Sequence, residues 1–227
     1  MKKENILIIA PHCDDEILGC GGTISYFNKL NYNVFVLIIT NAHKGNSLKY
    51  PENYINKLRK ECLNAHKTLF VKKTYFLEFP APYLDQVPIA EISDKIKEYV
   101  DKINPKFVFI PFIGDSHIDH QITHKAALVA LRPNAELKVK NVLCYETLSE
   151  TEWGDHIAGP IFTPNFYIQL KKVDIAKKIQ AMKKYKSQLK KFPHSRSLES
   201  IKNLAQTRGA SINVDYAESF VVVRMII

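Results

Sequence analysis

The sequence predicts an α/β protein with a Rossmann-like, doubly wound and mainly parallel sheet in a single domain spanning residues 1–227. Short apolar runs alternate with longer segments of helical periodicity, and no linker or internal repeat divides the chain. A length of 227 residues also suits one hydrophobic core. Because crossover helices return the chain to the same edge of a parallel sheet, we expect polar residues that follow different strands to meet there.

Six strands are predicted from runs of apolar residues. Each run is short and contains Val, Ile or Phe, as is typical of strands that are covered on both faces. The predicted strands cover residues 6–9, 34–40, 74–77, 107–112, 142–145 and 220–225.

The segments between the strands are predicted as amphipathic helices and loops. The apolar residues of the helices recur at i, i+3 and i+4, which gives each helix one buried face. The predicted helices cover residues 16–30, 51–70, 89–103, 122–133, 171–191 and 198–208. Residues 41–47, 80–88 and 146–164 have loop composition, and the last segment, which carries Trp153, is predicted to be a lid over the sheet edge.

Lysine supplies most of the positive charge, and its placement argues against nucleic-acid binding. The formal net charge is +9 and the isoelectric point is near 9.2. Pairs of lysines recur at helical spacing within residues 171–191, as expected of a solvated helix face. No zinc-finger or RNA-binding pattern accompanies them. We therefore expect no nucleic-acid partner, and at most an attraction of anionic small molecules.

The apolar runs and the cysteines favour a cytoplasmic protein without membrane insertion. No run approaches the ~20 apolar residues that cross a bilayer, and the first residues lack the long apolar stretch of a secretion signal. The four cysteines have no paired spacing and are expected to be reduced thiols; they are Cys13, Cys20, Cys62 and Cys144. The sequence leaves open whether the chain forms a homo-oligomer.

The strongest chemical signal follows the first predicted strand. His12, Asp14 and Asp15 stand where this strand ends and a helix begins. One imidazole and one carboxylate three residues apart can bind zinc, while the neighbouring carboxylate stays free to accept a proton from water. The same residues also suit a structural interpretation, in which an aspartate caps the helix and His12 ends the strand.

A second polar cluster favours the metal-site interpretation. Residues 114–120 follow another predicted strand and contain His117, Asp119 and His120. Because the carboxyl ends of parallel strands share one edge of a sheet, the two clusters are expected to converge. His124, four residues after His120 on the same helix face, is a rival ligand by spacing alone.

These two clusters resemble the signatures of the PIG-L/LmbE-like family of zinc-dependent N-deacetylases. The first signature reads His-Cys-Asp-Asp-Glu at 12–16 and continues as Leu-Gly-Cys-Gly-Gly at 18–22, and the second is residues 114–120. Cys13 and Ile118 depart from the family, which usually has proline at both positions. The likeness runs nearly end to end and includes Arg59, Glu61, Phe79, Pro80, Tyr145, Glu146, Trp153, Ser187, Gln188, Arg208, Gly209 and residues 216–220.

The resemblance implies an enzyme that hydrolyses the acetyl group from an N-acetylated amino sugar or sugar conjugate, on a Rossmann-like fold without a nucleotide. It implies one Zn²⁺ ion per chain, held by His12, Asp15 and His120, and other divalent metals are also compatible with these ligands. It also implies that Asp14 is the general base and that His117 assists the tetrahedral intermediate. We expect a protonated His117 to donate to the oxyanion, and Asp119 to orient an imidazole.

Several alternatives remain open at the level of the sequence. The same site would also suit the hydrolysis of another amide or an ester, or a non-catalytic metal-binding scaffold. A nucleotide-binding module is less favoured, because no Gly-x-Gly-x-x-Gly turn follows the first strand. Arg59 is predicted to clamp a substrate hydroxyl or phosphate, with a surface ion pair as the alternative. Glu218 either supports the site or belongs to a structural network, and His43 is expected to be an ordinary loop histidine.

Overall fold

Seven strands and seven helices alternate in the computed structural model, which describes residues 3–133 and 139–226. The strands are β1 (Asn5–Ala10), β2 (Asn33–Asn41), β3 (Lys73–Pro80), β4 (Phe107–Pro111), β5 (Asn141–Tyr145), β6 (Phe166–Leu170) and β7 (Tyr216–Arg224). The helices are α1 (Asp15–Lys29), α2 (Ala42–Gly45), α3 (Glu52–Thr68), α4 (Ile89–Ile103), α5 (Ile118–Ala130), α6 (Lys172–Met182) and α7 (Leu198–Ala210). A short 3₁₀ turn, Leu84–Gln86, precedes α4.

All seven strands belong to one sheet, which confirms the predicted α/β fold with a mainly parallel sheet. Their order is β3-β2-β1-β4-β5-β7-β6. The first five strands in this order are parallel, whereas β7 runs antiparallel to both β5 and β6. From β1 the chain winds outward through β2 and β3, and then returns to β4 on the other side of β1. The carboxyl ends of β1 and β4 therefore form the crevice where open α/β sheets bind their ligands.

Helices cover both faces of the sheet, and each face has its own apolar core. Along β1, Ile6 and Ile8 contribute to one core, and Leu7 and Ile9 contribute to the other. Helices α1, α3, α6 and α7 pack on the first face, while α4 and α5 pack on the second. This two-sided burial explains why the central strands are continuous apolar runs. None of the helices in the described ranges combines the length and apolar character needed to cross a bilayer.

Glycines on α1 allow this helix to pack directly on the sheet. A Cβ atom at Gly19 would lie 2.3 Å from Cδ2 of Tyr145, and one at Gly22 would lie 2.4 Å from Cδ1 of Leu170. Side chains larger than hydrogen therefore do not fit at these two positions without a shift. The close approach fixes the position of the amino end of α1 over the crevice between β1 and β4.

A buried ion pair holds the middle of α1. The Leu18 carbonyl accepts a hydrogen bond from Lys178 Nζ (2.7 Å), and the Gly22 N–H donates to Glu218 Oε1 (2.9 Å). These two backbone groups are the ones that an ideal α-helix would pair with each other. Lys178 Nζ also lies 2.6 Å from Glu218 Oε1, and both side chains are buried. Of the two roles predicted for Glu218, its contacts are those of the structural network.

The predicted Lys-rich helix over 171–191 is too long, because α6 ends at Met182. Tyr185 turns into the core, where its hydroxyl donates to Glu16 Oε1, and a continuous amphipathic helix would not place it there. The sequence also missed β6, whose residues are only partly buried at the edge of the sheet. Strand β7 begins at Tyr216, earlier than predicted. The predicted loop 41–47 contains the short helix α2, which begins where the Asn41 side chain accepts the His43 N–H.

Candidate metal centre and active site

The two polar clusters converge at the carboxyl ends of neighbouring central strands. His12, Asp14 and Asp15 follow β1, and His117 and His120 lie at the start of α5, after β4. The rings of His12 and His120 are 5.3 Å apart between centroids. Elements that are distant in the sequence thus place their polar side chains around one point, as the strand pattern predicted.

Asp15 lies between two imidazoles. Its Oδ2 atom is 3.3 Å from His12 Nδ1 and 3.1 Å from His120 Nε2. One ligand atom from each of the three residues lies within 4.8 Å of the others. Asp15 Oδ2 also accepts the backbone N–H of His12 at 2.9 Å, which fixes the carboxylate next to the strand end.

Two further aspartates set the protonation of the imidazoles. Asp119 Oδ2 lies 3.0 Å from His12 Nε2, and Asp115 Oδ2 lies 2.8 Å from His120 Nδ1. Each ring directs one nitrogen outward to an aspartate and the other nitrogen toward Asp15, an arrangement typical of histidine ligands of metals. Asp119 therefore faces His12, in line with the predicted orienting role. No role was predicted for Asp115, although it stands in the second cluster, five residues before His120.

The donor set fits a divalent cation. Asp15 Oδ1 and His120 Nε2 are buried and have no hydrogen-bond partner among the described residues. Buried polar groups are normally satisfied, so these two atoms call for a further partner. Two imidazole nitrogens and one carboxylate oxygen are the ligands of a hydrolytic zinc site with one open position. His12, Asp15 and His120 are the residues that would hold the cation.

Electrostatics in the site favour positive charge. Burial lowers the pKa of His12, but hydrogen bonds to Asp119 and Asp15 outweigh burial and raise this pKa to about 9. Burial raises the pKa of Asp15, but the charge of His120 and the hydrogen bond to His12 hold it well below its ordinary value. The carboxylates that attract protons to these rings would equally stabilise a metal ion.

Asp14 occupies a strained position beside the donor set. Its φ angle of 104° lies in the left-handed region, which costs a non-glycine residue on the order of 1–3 kcal/mol. The Asp14 N–H donates to Glu16 Oε2 at 3.0 Å, and the Asp14 carbonyl accepts the first hydrogen bonds of α1. Burial raises the pKa of the Asp14 carboxyl well above its ordinary value, and Arg196, 3.5 Å away, opposes this effect.

The contacts of His117 favour a neutral imidazole, whereas the sequence led us to expect a protonated ring. Its Nδ1 atom accepts the N–H of Asp119 at 3.1 Å and caps α5, so this nitrogen carries no proton. Burial and the neighbouring His12 lower the pKa of His117 to about 4. The single ring proton therefore resides on Nε2. The ring stands edge-on to His12, with centroids 4.6 Å apart, and lines the cleft.

The donor set opens into a cleft of about 190 Å³. The far wall includes Glu150, from the predicted lid segment, together with Gln188 and Arg196, from segments that were not predicted to belong to the site. Arg196 joins these segments, since its Nε donates to Ser149 Oγ (2.6 Å) and its Nη1 to Gln188 Oε1 (3.3 Å). The first part of the predicted lid thus forms a wall of the cleft, while Trp153 lies exposed beyond it. Residue spacing carried no signal for this wall.

Three residues singled out in the sequence make other contacts. Arg59 Nη2 pairs with Glu78 Oε1 at 2.5 Å, and Arg59 is absent from the described residues that line the cleft. Its predicted role in substrate binding stays a prediction. His124 Nδ1 lies 2.9 Å from the Pro111 carbonyl oxygen, and His124 belongs to none of the donor groups found in the described chain. His43 Nδ1 contacts the carbonyl of Tyr50.

Two other bacterial proteins and one crystal structure are similar to this chain over most of its length. The E. coli (strain K12) protein named "Uncharacterized deacetylase YaiS" is 25% identical over 187 residues, which cover 82% of this chain and 92% of that protein. The Bacillus anthracis protein named "Probable N-acetyl-alpha-D-glucosaminyl L-malate deacetylase 2" is 25% identical over 195 residues, covering 83% of each chain. The crystal structure of a conserved protein from Thermus thermophilus, TT1542, is similar with a TM-score of 0.77 and 26% identity, covering 98% of this chain and 96% of that chain.

One protein-family match includes both polar clusters. Residues 7–131 match the PIG-L family, described as GlcNAc-PI de-N-acetylase. This segment runs from β1 to the end of α5 and carries His12, Asp15 and His120. Since the match covers more than half of the chain and includes both clusters, this protein belongs to the PIG-L family.

Proposed function

We propose that this protein is a metal-dependent hydrolase that removes the N-acetyl group from an N-acetylated amino sugar or sugar conjugate. The observation that carries the proposal is the convergence of His12, Asp15 and His120 around one point, with Asp14 and His117 beside it in an open cleft. Membership in a family described by de-N-acetylation supports the same reaction. We propose that each catalytic centre binds one divalent cation. This cation is Zn²⁺, because two imidazoles and one carboxylate are ligands that zinc prefers.

The proposed reaction begins with water held near Asp14. A bound divalent cation would polarise the amide carbonyl and make water more acidic. Asp14 accepts the proton of the attacking water and passes it to the leaving amine. Its buried position raises its affinity for the proton, while Arg196 keeps the ionised form accessible. The fixed backbone of Asp14, held by Glu16, sets the direction of the carboxylate.

His117 is proposed to stabilise the charge that develops on the acetyl oxygen. The neutral ring keeps its proton on Nε2, because Nδ1 is occupied by the Asp119 N–H. A neutral N–H donor fixed by a helix cap requires no reorganisation when the oxyanion forms, which is how preorganised donors lower a barrier. Asp119 thus serves two histidines, with its amide on His117 and its carboxylate on His12.

The name of one similar protein indicates which substrates to test. The name of the B. anthracis relative specifies an N-acetylglucosamine joined to malate. We therefore propose a small N-acetyl sugar conjugate as substrate, with the sugar in the cleft and the attached group toward the wall that contains Arg196. A cytoplasmic location, where such small conjugates are available, is part of the same proposal.

The test is a measurement of acetate released from a panel of N-acetyl compounds. The panel contains free N-acetylglucosamine, its malate glycoside, a nucleotide-linked form and a simple acetate ester. We expect release from at least one amide only after metal is supplied to chelator-treated protein. Amides that stay intact in the presence of metal, with the ester cleaved, would contradict deacetylation and favour an esterase.

The matched control is Asp14→Asn, which keeps the size of the side chain and removes the proton acceptor. Loss of a general base lowers rates by ~10²–10⁴-fold. We expect this variant to bind metal like the wild type and to lose hydrolysis by that factor. Wild-type turnover with full metal occupancy would rule out Asp14 as the base.

A further inference from the structure

A second group of metal-ligating residue types lies beside the active site. One member, Glu16, holds the backbone of Asp14, and the proposed reaction uses none of the others. Glu16 comes from the first turn of α1, and Cys62 and His66 come from α3. All three are buried, with 0%, 0% and 2% of their surfaces exposed, respectively. One donor atom from each lies within 4.8 Å of the other two. Few buried sites combine a carboxylate, a thiol and an imidazole so closely, since each is costly to bury.

The spacing of these donors suits a tetrahedral cation. Cys62 and His66 stand one helical turn apart on the same face of α3, which directs both side chains to one point. Cys62 Sγ lies 3.7 Å from Nδ1 and 3.8 Å from Nε2 of His66. Zinc bonds to sulfur and nitrogen, joined at a tetrahedral angle, place these two atoms about 3.6 Å apart. Glu16 Oε1 approaches His66 Nε2 to 2.9 Å.

Neighbouring hydroxyl groups orient two of the donors. Thr74 Oγ1 lies 2.6 Å from His66 Nδ1, which turns the other ring nitrogen toward Glu16. The Tyr185 hydroxyl donates to Glu16 Oε1 at 2.5 Å. Outer contacts of this kind fix the rings and carboxylates of metal ligands. They also explain why Tyr185 turns inward where the predicted helix would have continued.

Cys13 is the candidate for a fourth donor. The Cys62 thiol is the largest cause that raises the pKa of the Cys13 thiol, so the two thiols are neighbours, and Cys13 is buried and lines the cleft. Cys13 stands where the resemblance to the family predicts proline, so the second sulfur is a feature of this chain. Two sulfurs, one nitrogen and one oxygen form a donor set for a borderline-soft cation rather than for Mg²⁺ or Ca²⁺.

We propose that Cys13, Cys62, His66 and Glu16 form a second, structural site for a thiophilic divalent cation of the Zn²⁺ type. Four protein donors leave no position for water, so the site is closed, as structural zinc sites are. Without a cation the cluster reduces to a buried pair between His66 and Glu16, which is a weak source of stability and gives the thiols no role. The cation would tie α3 to the turn that carries Asp14 and Asp15.

The test uses Co²⁺ as a spectroscopic substitute for zinc. Metal-free protein is reduced with a phosphine, which does not compete for the metal, and is titrated without oxygen. Thiolate ligands give Co²⁺ an intense near-ultraviolet charge-transfer band, whereas the catalytic donors are nitrogen and oxygen only. We expect the wild type to bind about two equivalents of Co²⁺, one of which produces the band.

Three variants test whether the Co²⁺ charge-transfer band arises from the second site. Cys62→Ser should abolish the band and one equivalent of binding, and His66→Gln provides the same test if Cys62→Ser does not fold. Cys144→Ser is the matched control, because Cys144 Sγ also lies 3.7 Å from a histidine nitrogen, Nδ1 of His124, but belongs to no donor group in the described chain. This control should keep the full band.

The variant His12→Ala distinguishes metal binding at the catalytic centre from metal binding at the second site. This variant should lose the other equivalent and keep the band, so a failure of the proposed enzymatic function would leave the result at Cys62 unaffected. A wild-type protein that shows no band with excess Co²⁺ would overturn the proposal. A band that survives Cys62→Ser would overturn it too, because the sulfur ligand would then belong to another site.

Discussion

At the scale of single residues, hydrogen bonds to two outer aspartates decide which nitrogen of each histidine faces Asp15. His12 uses Nε2 for Asp119, and His120 uses Nδ1 for Asp115. The remaining nitrogens, His12 Nδ1 and His120 Nε2, both face Asp15. Residue spacing indicated that these side chains belong together, but only the fold shows which atoms can accept a metal ion.

The ligand assignment predicts which histidine variants lose metal. His12→Ala and His120→Ala should each lower the bound divalent metal by about one equivalent, because three protein ligands are needed at an open hydrolytic site. His124→Ala is the control and should keep the wild-type content, since His124 contacts the Pro111 carbonyl instead. Elemental analysis of dialysed protein measures both. Metal retained in His120→Ala but lost in His124→Ala would reverse the assignment.

The neutral state of His117 gives a second prediction at this scale. Loss of an oxyanion donor lowers kcat by ~10²-fold or more, so His117→Ala should lose activity and keep its metal. Because the pKa of His117 is lowered to about 4, the ring carries no extra proton across the neutral range and loses none as the pH rises. The shape of the pH–rate profile at neutral and alkaline pH should therefore be the same in wild type and variant.

The measurement for this prediction is kcat as a function of pH, together with metal content. An alkaline limb that is present in the wild type and absent in His117→Ala would show that an imidazolium donates the proton. That outcome would restore the protonated ring expected from the sequence. A metal-depleted variant would instead indicate that His117 is a ligand.

At the scale of secondary-structure elements, the packing of α1 on the sheet gives a stability prediction. In an exposed helix, Gly→Ala is favourable by about 1 kcal/mol. At Gly19 the new Cβ would lie 2.3 Å from the ring of Tyr145, and overpacking of this kind costs about 1–3 kcal/mol. Gly19→Ala should therefore lower the free energy of unfolding by up to about 2 kcal/mol, measured by urea denaturation.

A double-mutant cycle with Tyr145→Leu provides the control for Gly19→Ala. Tyr145 is fully buried, and its hydroxyl donates to the Ile9 carbonyl, so Tyr145→Leu is destabilising by itself. If the clash is the cause, adding Gly19→Ala to Tyr145→Leu should cost less than adding it to the wild type. A gain in stability for Gly19→Ala alone would mean that α1 does not approach the sheet as closely as described.

The sequence predicted the elements whose burial is periodic and missed those decided by distant contacts. Strands β1, β2 and β4 are buried on both faces and were visible as apolar runs. The end of α6 could not be predicted, because it depends on Tyr185 reaching Glu16, which is 169 residues away in the chain. Strand β6 lies at the sheet edge and buries only some of its side chains, so its pattern is weak.

At the scale of the whole molecule, the candidate site also combines residues that the sequence predicted with residues that it missed. Its candidate metal ligands follow β1 and β4, where the strand pattern points to them. Glu150, Gln188 and Arg196 reach the cleft from irregular segments, and Arg196 joins them by hydrogen bonds to the other two side chains. Loops that carry specificity have no periodic signature, so this wall could not be predicted.

The net charge of +9 leads to a prediction about substrate capture. A positive protein attracts anionic substrates from solution, and added salt screens that attraction. We expect kcat/KM for an anionic N-acetyl conjugate to fall by about 10-fold between low and high ionic strength. Free N-acetylglucosamine, which is uncharged, is the control and should show little change. An equal loss for both substrates would point to a general effect of salt on the enzyme.

The far wall of the cleft has an evolutionary consequence. The family match ends at residue 131, while Glu150, Gln188 and Arg196 all lie beyond it. Mutations at Glu150 and Gln188 can therefore accumulate without changing the candidate metal ligands, whereas Arg196 also lies 3.5 Å from the Asp14 carboxylate. Related proteins would diverge in what they recognise while they inherit the same reaction. For protein engineering, exchanging Glu150 and Gln188 while Arg196 is kept is the most direct way to change the substrate and retain the catalyst.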